Sequence, residues 1–160
     1  MIRQVKDGDA SSICSIYNEY VLHTRITFEE SAVPADEMVG RIIDITRHYP
    51  WLVYEEHQRI LGYAYAGRWK ERSGYRRSVE LAFYVDTGHR GRGLGTQLLG
   101  ALLERLRASP VHTAISGIAL PNPASVALCE RFGFVRVAHF KQVGFKLNAW
   151  VDVGYWQLVL

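Results

Sequence analysis

Residues 86–99, with the sequence DTGHRGRGLGTQLL, constrain the fold of this 160-residue chain more than any other segment. Their glycines and arginines stand between a predicted strand at 78–85 and a predicted helix at 93–109, whose leucines recur at helical spacing. The first turn of a helix exposes unpaired N–H groups and the positive end of its dipole, and glycines let an anion approach the backbone. We therefore expect a phosphate-bearing ligand at this loop.

The rest of the chain alternates between helical and strand-like patterns, with isolated Gly and Pro residues as turn signals and no linker. Helical periodicity gives way after residue 50 to runs rich in Val, Ile, Tyr and Trp, which favour strands. We predict an α/β fold with a mixed sheet in one domain over residues 1–160. The predicted helices lie at 10–21, 35–48, 93–109 and 123–132, and the strands at 51–55, 60–69, 78–85, 112–120, 134–140 and 150–160.

The composition excludes several classes of protein. With 48% hydrophobic and 22% charged residues the chain is globular rather than disordered, and its net charge of +3 suits a small anionic ligand. The basic residues fall in two short loops without an RNP, KH or zinc-knuckle signature, so we expect no nucleic-acid partner. The polar N-terminus and the lack of a long apolar run predict a cytoplasmic protein without a membrane partner. Cys14 and Cys129 lack the spacing of a zinc site or a disulfide framework, and no metal is expected.

The spacing of the glycines distinguishes between classes of nucleotide site. A dinucleotide-binding Gly-x-Gly-x-x-Gly motif beginning at Gly91 would need glycine where Thr96 stands, and the Gly-Lys-Ser/Thr of a P-loop is absent. What remains is Arg90-x-x-Gly93-x-Gly95, which resembles the Gln/Arg-x-x-Gly-x-Gly/Ala signature of the GNAT superfamily of CoA-dependent acyltransferases. The alternative is a glycine-rich turn that only caps the helix.

The resemblance extends over most of residues 1–160. Segments such as IYNEYVLHTRITFEE, GYAYAGRWKERSGYRRSVELAFYV, GIALPNPASVALCERFGF and VGFKLNAWVDVGYWQL are similar, in order and spacing, to the phosphinothricin acetyltransferase branch of that superfamily. Membership implies a mixed twisted sheet with splayed central strands flanked by helices, acetyl-CoA bound in the splay, and a homodimer. It also implies a set of acetyl-CoA contacts, namely Phe83, Tyr84, Val85, Arg90, Gly91, Arg92, Gly93, Leu94, Gly95, Thr96, Asn122 and Ser125. For Asn122, which precedes Pro123 at the first turn of the predicted helix, capping of that helix is the alternative.

Glu80 is the lone carboxylate in the strand that precedes the glycine loop. Acetyl transfer to an amine needs a free lone pair, yet an aliphatic ammonium has a pKa near ~10, so a base must remove a proton. The resemblance places the acceptor amine beside this carboxylate, and we therefore assign Glu80 as the general base. An ordinary ion pair with Arg76 or Arg77 is the alternative.

Cys129 stands where many GNAT enzymes have a tyrosine and where this branch usually has a histidine. A thiol with a pKa near ~8.5 is a possible catalytic proton donor to the departing CoA sulfur, although a thiolate of similar basicity can leave unaided. A packing role in the helix is the alternative, since cysteine is among the most buried residue types. A covalent relay through Cys129 is the third alternative, and we expect direct transfer instead. The resemblance assigns polarisation of the thioester carbonyl to backbone N–H groups at the end of the strand.

The basic insert RWKERSGYRR precedes the Glu80 strand and suits an anionic group on the acceptor. The resemblance implies that Lys70 and Arg72 face the carboxylate of an amino-acid-like acceptor such as phosphinothricin, methionine sulfone or methionine sulfoximine, and that Phe28 and Tyr75 line its pocket. A solvated basic loop is the alternative. A protein N-terminus or a polyamine is another possible acceptor, and the cationic insert disfavours the polyamine.

Overall fold

The computed structural model describes residues 1–160 and contains a seven-stranded sheet flanked by α-helices. The strands are β1 (Ile2–Gln4), β2 (Trp51–Glu56), β3 (Arg59–Arg68), β4 (Ser78–Val85), β5 (Thr113–Leu120), β6 (Val135–Lys146) and β7 (Ala149–Val159). The helices are α1 (Ala10–His23), α2 (Ala35–Thr46), α3 (Leu94–Arg107) and α4 (Pro123–Arg131). The sheet order is β1-β2-β3-β4-β5-β7-β6, and only β4 and β5 run parallel to each other. The predicted α/β class and its mixed sheet are confirmed.

Two elements differ from the prediction. The strand β1 pairs with β2 but is too short for a periodic pattern to reveal. The strand β6 continues to Lys146 instead of ending near residue 140. Its pairing with β7 shifts register between Phe140 and Gly144, and Gln142 has a φ of 49°. A bulge of this kind interrupts the alternation of side chains by which a strand is recognised.

Each face of the sheet has its own hydrophobic core. The leucines of α3 are fully buried against Val79 and Leu81 of β4 on one face. The helices α1 and α2 cover the other face, where their side chains pack against Trp51 and Tyr63. Burial of a leucine side chain contributes about 1.5–3 kcal/mol, so the leucine stripe fixes α3 and, with it, the glycine loop at its N-terminus. No helix in the structure has the length and apolar character that a membrane crossing requires.

The strands β4 and β5 separate halfway along their length. They pair only at Ser78–Thr113, Val79–Ala114 and Glu80–Ile115, although each strand has eight residues. Their outer neighbours follow them further, because β4 pairs with β3 as far as Val85 and β5 pairs with β7 over its full length. The predicted splay of the central strands is therefore confirmed, and it begins at Glu80.

Candidate active site

Two adjoining cavities occupy the splay between β4 and β5. The first has a volume of about 440 Å³ and contains Glu80, and the second has a volume of about 380 Å³ and contains the glycine loop. Five residues line both cavities, namely Ile26, Phe83, Tyr84, Asn122 and Ser125. The shared walls make one site with two compartments, one beside the carboxylate and one beside the loop.

Backbone polar groups of β4 point into the splay. The N–H of Asp86, just after β4, donates to the Leu61 carbonyl of β3 at 2.8 Å. Every second residue before Asp86, namely Tyr84, Ala82 and Glu80, therefore directs its peptide groups toward β3. By the same alternation, the N–H groups of Phe83 and Val85 face the gap. The peptide groups of Tyr84 face β3 instead, and Tyr84 lines both cavities.

The strand β5 supplies the opposite wall in the same way. The N–H of Leu160 donates to the His112 carbonyl at 2.9 Å, which sets the alternation of β5 against β7. The peptide groups of Gly117 and Ala119 therefore face the gap opposite those of Phe83 and Val85. Apart from the Val85 carbonyl, which accepts a hydrogen bond from the Tyr20 hydroxyl, these donors and acceptors have no sheet partner across the gap, and they are suited to an extended ligand arm that carries amides.

The glycine loop forms an open cradle at the start of α3. Gly91 and Gly93 both have a φ of 77°, a left-handed conformation that favours glycine, and a Cβ at either position would meet no atom within 4 Å. Asp86 holds the preceding turn, since its Oδ1 accepts a hydrogen bond from the Gly88 N–H at 2.9 Å and lies 2.8 Å from Nδ1 of His89. The exposed N–H groups at the helix start are suited to a pyrophosphate.

The two loop arginines lie in different places. Arg90 lines the loop cavity, and its guanidinium lies 5.1 Å from the centre of the Tyr20 ring. Arg92 pairs instead with Glu56 at 3.0 Å and lines neither cavity. Every other residue of the predicted acetyl-CoA set lines at least one cavity, namely Phe83, Tyr84, Val85, Gly91, Gly93, Leu94, Gly95, Thr96, Asn122 and Ser125.

Glu80 lies half-buried in the larger cavity and has no ion pair or hydrogen bond through its side chain. The alternative of an ion pair with Arg76 or Arg77 is therefore not observed. Burial raises the pKa of the Glu80 carboxyl, and the positive charge of Lys70 partly opposes this change. A carboxylate with a raised pKa and no partner is equipped to accept a proton.

The predicted acceptor residues are only partly brought together. Lys70 acts electrostatically on Glu80, and its Nζ lies 4.9 Å from the centre of the Trp69 ring. Arg72 immediately precedes the short 3-10 turn Ser73–Tyr75, and neither Arg72 nor Tyr75 lines a cavity. Phe28 lies over Gly144 of β6, where an added Cβ would stand 2.3 Å from its ring.

The larger cavity has walls that sequence reasoning missed. Tyr65, Arg68 and Ile26 line it, and burial raises the pKa of Tyr65 to about 12. Side chains alternate between the two faces of β3, so Tyr65 lies on the same face as Gly67, the residue that pairs with Glu80. The alternation of β3 in the sequence could therefore have pointed to Tyr65. Ile26 lies in an irregular segment after α1 and gives no comparable signal.

Asn122 and Ser125 combine two roles at the start of α4. The Asn122 Oδ1 accepts a hydrogen bond from the Ser125 N–H at 3.3 Å, which caps the helix, and both residues line both cavities. Cys129, one turn further on, is fully buried and lines neither cavity. Burial raises the pKa of its thiol to about 11, and the polar side chain of Ser116 partly opposes this change. This position favours the packing alternative for Cys129.

The comparisons with known proteins agree with this geometry. A family model described as an acetyltransferase (GNAT) domain matches residues 2–154, and the chain belongs to this family. It is 38% identical over 160 residues to the L-amino acid N-acyltransferase MnaT of Escherichia coli, with coverage of 99% of this chain and 93% of the relative. It is 34% identical over 156 residues to the phosphinothricin N-acetyltransferase of Streptomyces viridochromogenes, with coverage of 98% and 85%.

Solved structures extend the similarity to the cofactor. A phosphinothricin acetyltransferase from Sinorhizobium meliloti in complex with acetyl-CoA superposes with a TM-score of 0.97 at 35% identity, covering 100% of this chain and 88% of that one. The structure of yncA from Salmonella typhimurium with acetyl-CoA also gives a TM-score of 0.97, at 36% identity and with coverage of 100% and 93%. The chain described here is an acetyl-CoA-dependent N-acetyltransferase.

Proposed function

We propose that this single GNAT domain transfers the acetyl group of acetyl-CoA directly to the amino group of a small amino-acid-like acceptor. The observation that carries the proposal is the position of Glu80, an unpaired, half-buried carboxylate at the point where β4 and β5 separate. Relatives named as L-amino acid, phosphinothricin and L-methionine sulfoximine/L-methionine sulfone acyltransferases support an acceptor of this class.

Each compartment would serve one substrate. When bound, acetyl-CoA supplies a thioester carbonyl that is open to attack by an amine. Arg90, the glycine loop and the first turn of α3 would hold its pyrophosphate, while the gap-facing peptide groups of both strands would hold its extended arm. Asn122 and Ser125 stand where the compartments meet, and Arg92 would act on the phosphates only after release from Glu56.

Glu80 would work as the general base. Its carboxylate takes one proton from the acceptor ammonium, the freed nitrogen bonds to the carbonyl carbon, and the carbon–sulfur bond breaks with the electron pair leaving on sulfur. The nitrogen gives its second proton to the departing thiolate, so that the products are the amide and the free thiol of CoA. The N–H groups of Phe83 and Val85 would stabilise the negative charge that develops on the carbonyl oxygen. The buried Cys129 is not needed for departure of the thiolate, although the assignment of its thiol as a proton donor stays a prediction.

The basic insert would select the acceptor. Lys70 acts on Glu80, so a group held near Lys70 would also lie near the base. In an α-amino acid the carboxylate and the amine are bonded to the same carbon. An acceptor whose carboxylate is held near Lys70 would therefore present its amine near Glu80. Arg72, Tyr75 and Phe28 line neither cavity in the structure, so the proposed role of these residues in the acceptor pocket requires that they move toward the acceptor.

We also propose that the enzyme is a cytoplasmic homodimer without a nucleic-acid or membrane partner. The outer strand β6 exposes several large apolar side chains at the edge of the sheet, namely Val135, Val137, Phe140, Val143 and Phe145. An exposed apolar edge of this kind is a typical protein–protein contact surface. A second copy of the chain would cover it.

A screen of amine acceptors with acetyl-CoA tests the proposed function. Free amino acids, methionine sulfone, phosphinothricin, spermidine and an N-terminal peptide are each supplied at the same concentration, and release of CoA is measured. We expect transfer to the amino-acid-like compounds and a loss of about 10² to 10⁴ in kcat/KM in Glu80→Gln. Faster transfer to the peptide or to spermidine would contradict the proposed acceptor class.

A further inference from the structure

Tyr155 of β7 shares the space around the Glu80 carboxylate. It pairs with Gly117 of β5, on the far side of the splay from β4. A Cβ added to Gly117 would stand 2.9 Å from Cε1 of Tyr155 and 3.1 Å from Oε1 of Glu80. The aromatic ring and the carboxylate therefore converge over the Cα of this glycine, and only glycine leaves room for both.

Aromatic neighbours hold the Tyr155 ring in place. The Trp69 ring meets it edge to face with centroids 5.6 Å apart, and the Phe140 ring does so at 5.8 Å. Such edge-to-face pairs stabilise the ring position beyond the effect of the area that they bury. Trp69 also lies beneath Lys70, so the acceptor insert and the β6–β7 hairpin meet at this tyrosine.

Packing alone positions the Glu80 side chain, because it makes no hydrogen bond and no ion pair. A general base must lie about 2.6–3.2 Å from the proton-bearing atom, and a misplacement of about 1 Å is enough to cost roughly 10² in rate. Glu80 lies between Gly67 of β3 on one side and Gly117 of β5 on the other, and neither glycine has a side chain that could hold the carboxylate. Of these three neighbours, only Tyr155 has a bulky side chain.

We infer that Tyr155 and Gly117 position the base: Gly117 leaves the space for the Glu80 carboxylate, and the Tyr155 ring closes that space to water. This inference rests on the proposed function of Glu80. Neither residue touches the reacting atoms in this scheme, so both act through Glu80.

The charged and titratable groups around Glu80 are few. Lys70 opposes the rise of its pKa, and Arg68 and Tyr65 line the same cavity. Burial raises the pKa of Tyr155, and the negative charge of Glu80 raises it further, so the phenol stays neutral beside the carboxylate. The ring therefore acts on Glu80 through its volume and its exclusion of water.

Four variants of the full-length enzyme test this positioning role, with kcat, both KM values and the pH dependence of kcat/KM as readouts. In Gly117→Ala the methyl group displaces the carboxylate, and we expect kcat to fall at least about tenfold while the acetyl-CoA KM stays within about twofold. In Tyr155→Ala water reaches Glu80 and its pKa falls, so the acid limb of the profile moves to lower pH. Tyr155→Phe keeps the wall and is expected to restore both the rate, within about threefold, and the acid limb.

Gly154→Ala is the matched control, because its added Cβ would meet the Trp156 ring at 2.5 Å on the opposite face of β7. It is expected to lower stability without moving the acid limb. Wild-type kcat and an unmoved acid limb in both Gly117→Ala and Tyr155→Ala would overturn the inference, provided that Glu80→Gln is impaired. Wild-type activity in Glu80→Gln would instead refute the proposed base itself. If Gly117→Ala does not fold, the comparison of Tyr155→Ala with Tyr155→Phe decides.

Discussion

The hydroxyl of Tyr20 donates a hydrogen bond to the carbonyl oxygen of Val85 at 2.5 Å. This contact joins α1 to the end of β4, where the neighbouring strand β5 has already turned away. The Val85 carbonyl belongs to the row of peptide groups that face the gap, so Tyr20 supplies the partner that a sheet neighbour would otherwise provide. The same ring lies against Arg90, and one side chain therefore steadies both the strand end and the cofactor loop.

Replacement of Tyr20 by phenylalanine tests this link. Tyr20→Phe keeps the ring beneath Arg90 but leaves the Val85 carbonyl without its partner, which costs about 1–3 kcal/mol of unfolding free energy. Denaturant unfolding measures this loss, and we expect acetyl-CoA affinity to fall only a few-fold. Tyr54→Phe is the control, since the Tyr54 hydroxyl makes no hydrogen bond in the structure. Equal stability of the two variants would contradict the role given to Tyr20.

Gly93 provides a test of the anion cradle. Gly93→Asp places a negative side chain in the open space where the phosphates would lie, and we expect acetyl-CoA affinity to fall by at least about a hundredfold. Gly133→Asp is the control for backbone strain, because Gly133 also has a left-handed φ, of 88°, but lies outside the loop. This variant carries similar strain and should bind acetyl-CoA normally in calorimetric titration. Unchanged affinity in a folded Gly93→Asp variant would refute the placement of the pyrophosphate.

The role of Arg72 is tested by kinetics with both substrates varied. Arg72→Ala removes a proposed partner of the acceptor carboxylate, so we expect the amino-acid KM to rise about tenfold while the acetyl-CoA KM stays near its original value. Arg76→Ala is matched to it, because Arg76 lies in the same insert and bonds to the Ser73 carbonyl. A rise in the acetyl-CoA KM alone would place Arg72 in the other compartment.

The parts of the site that sequence predicted are those built from neighbours along the chain. The glycine loop and the leucine stripe of α3 are local patterns: the spacing of the glycines identified the loop, and hydrophobic periodicity identified the helix. The position of Glu80 followed from the alternation of a single strand. The contacts of Tyr155 with Gly117, and of Tyr20 with Val85, join residues far apart in the chain. The strand order brings Tyr155 to Gly117, and the packing of α1 on the sheet brings Tyr20 to Val85. No periodic pattern specifies either arrangement.

The ionised form of the half-buried Glu80 carboxyl is predicted to lower the stability of the folded protein. Its pKa is raised in the folded state, so the folded protein holds the Glu80 proton more tightly than the unfolded chain does. The stabilisation linked to that proton is complete below the unfolded pKa, about 4.3, and is lost as pH rises through the folded value. Glu80→Gln removes the buried charge, and we expect its melting temperature at neutral pH to exceed that of the wild type while activity falls. Melting curves from pH 4 to 8 should show the difference growing with pH, and a constant difference would contradict the linkage.

Cys129 separates direct transfer from a covalent relay. The side chain is fully buried, and its raised pKa of about 11 keeps the thiol protonated at neutral pH. A buried, protonated thiol is a poor nucleophile, so incubation with acetyl-CoA alone should leave no acetyl group on Cys129 in mass spectra. We expect Cys129→Ala to keep kcat/KM within a few-fold and to lose about 1–2 kcal/mol of stability through the cavity left behind.

Cys14 offers a matched control, since it is also a buried cysteine but belongs to the core beneath α1, on the opposite face of the sheet. Cys14→Ala should therefore resemble Cys129→Ala in both stability and rate if the two thiols only pack. A covalent relay requires a different pattern. Cys129→Ala alone would lose nearly all transfer, and the wild type would release a burst of CoA without acceptor. A stoichiometric acetyl adduct on Cys129 that an added amino acid discharges would overturn direct transfer, because it would show that the acetyl group passes through the protein before it reaches the amine.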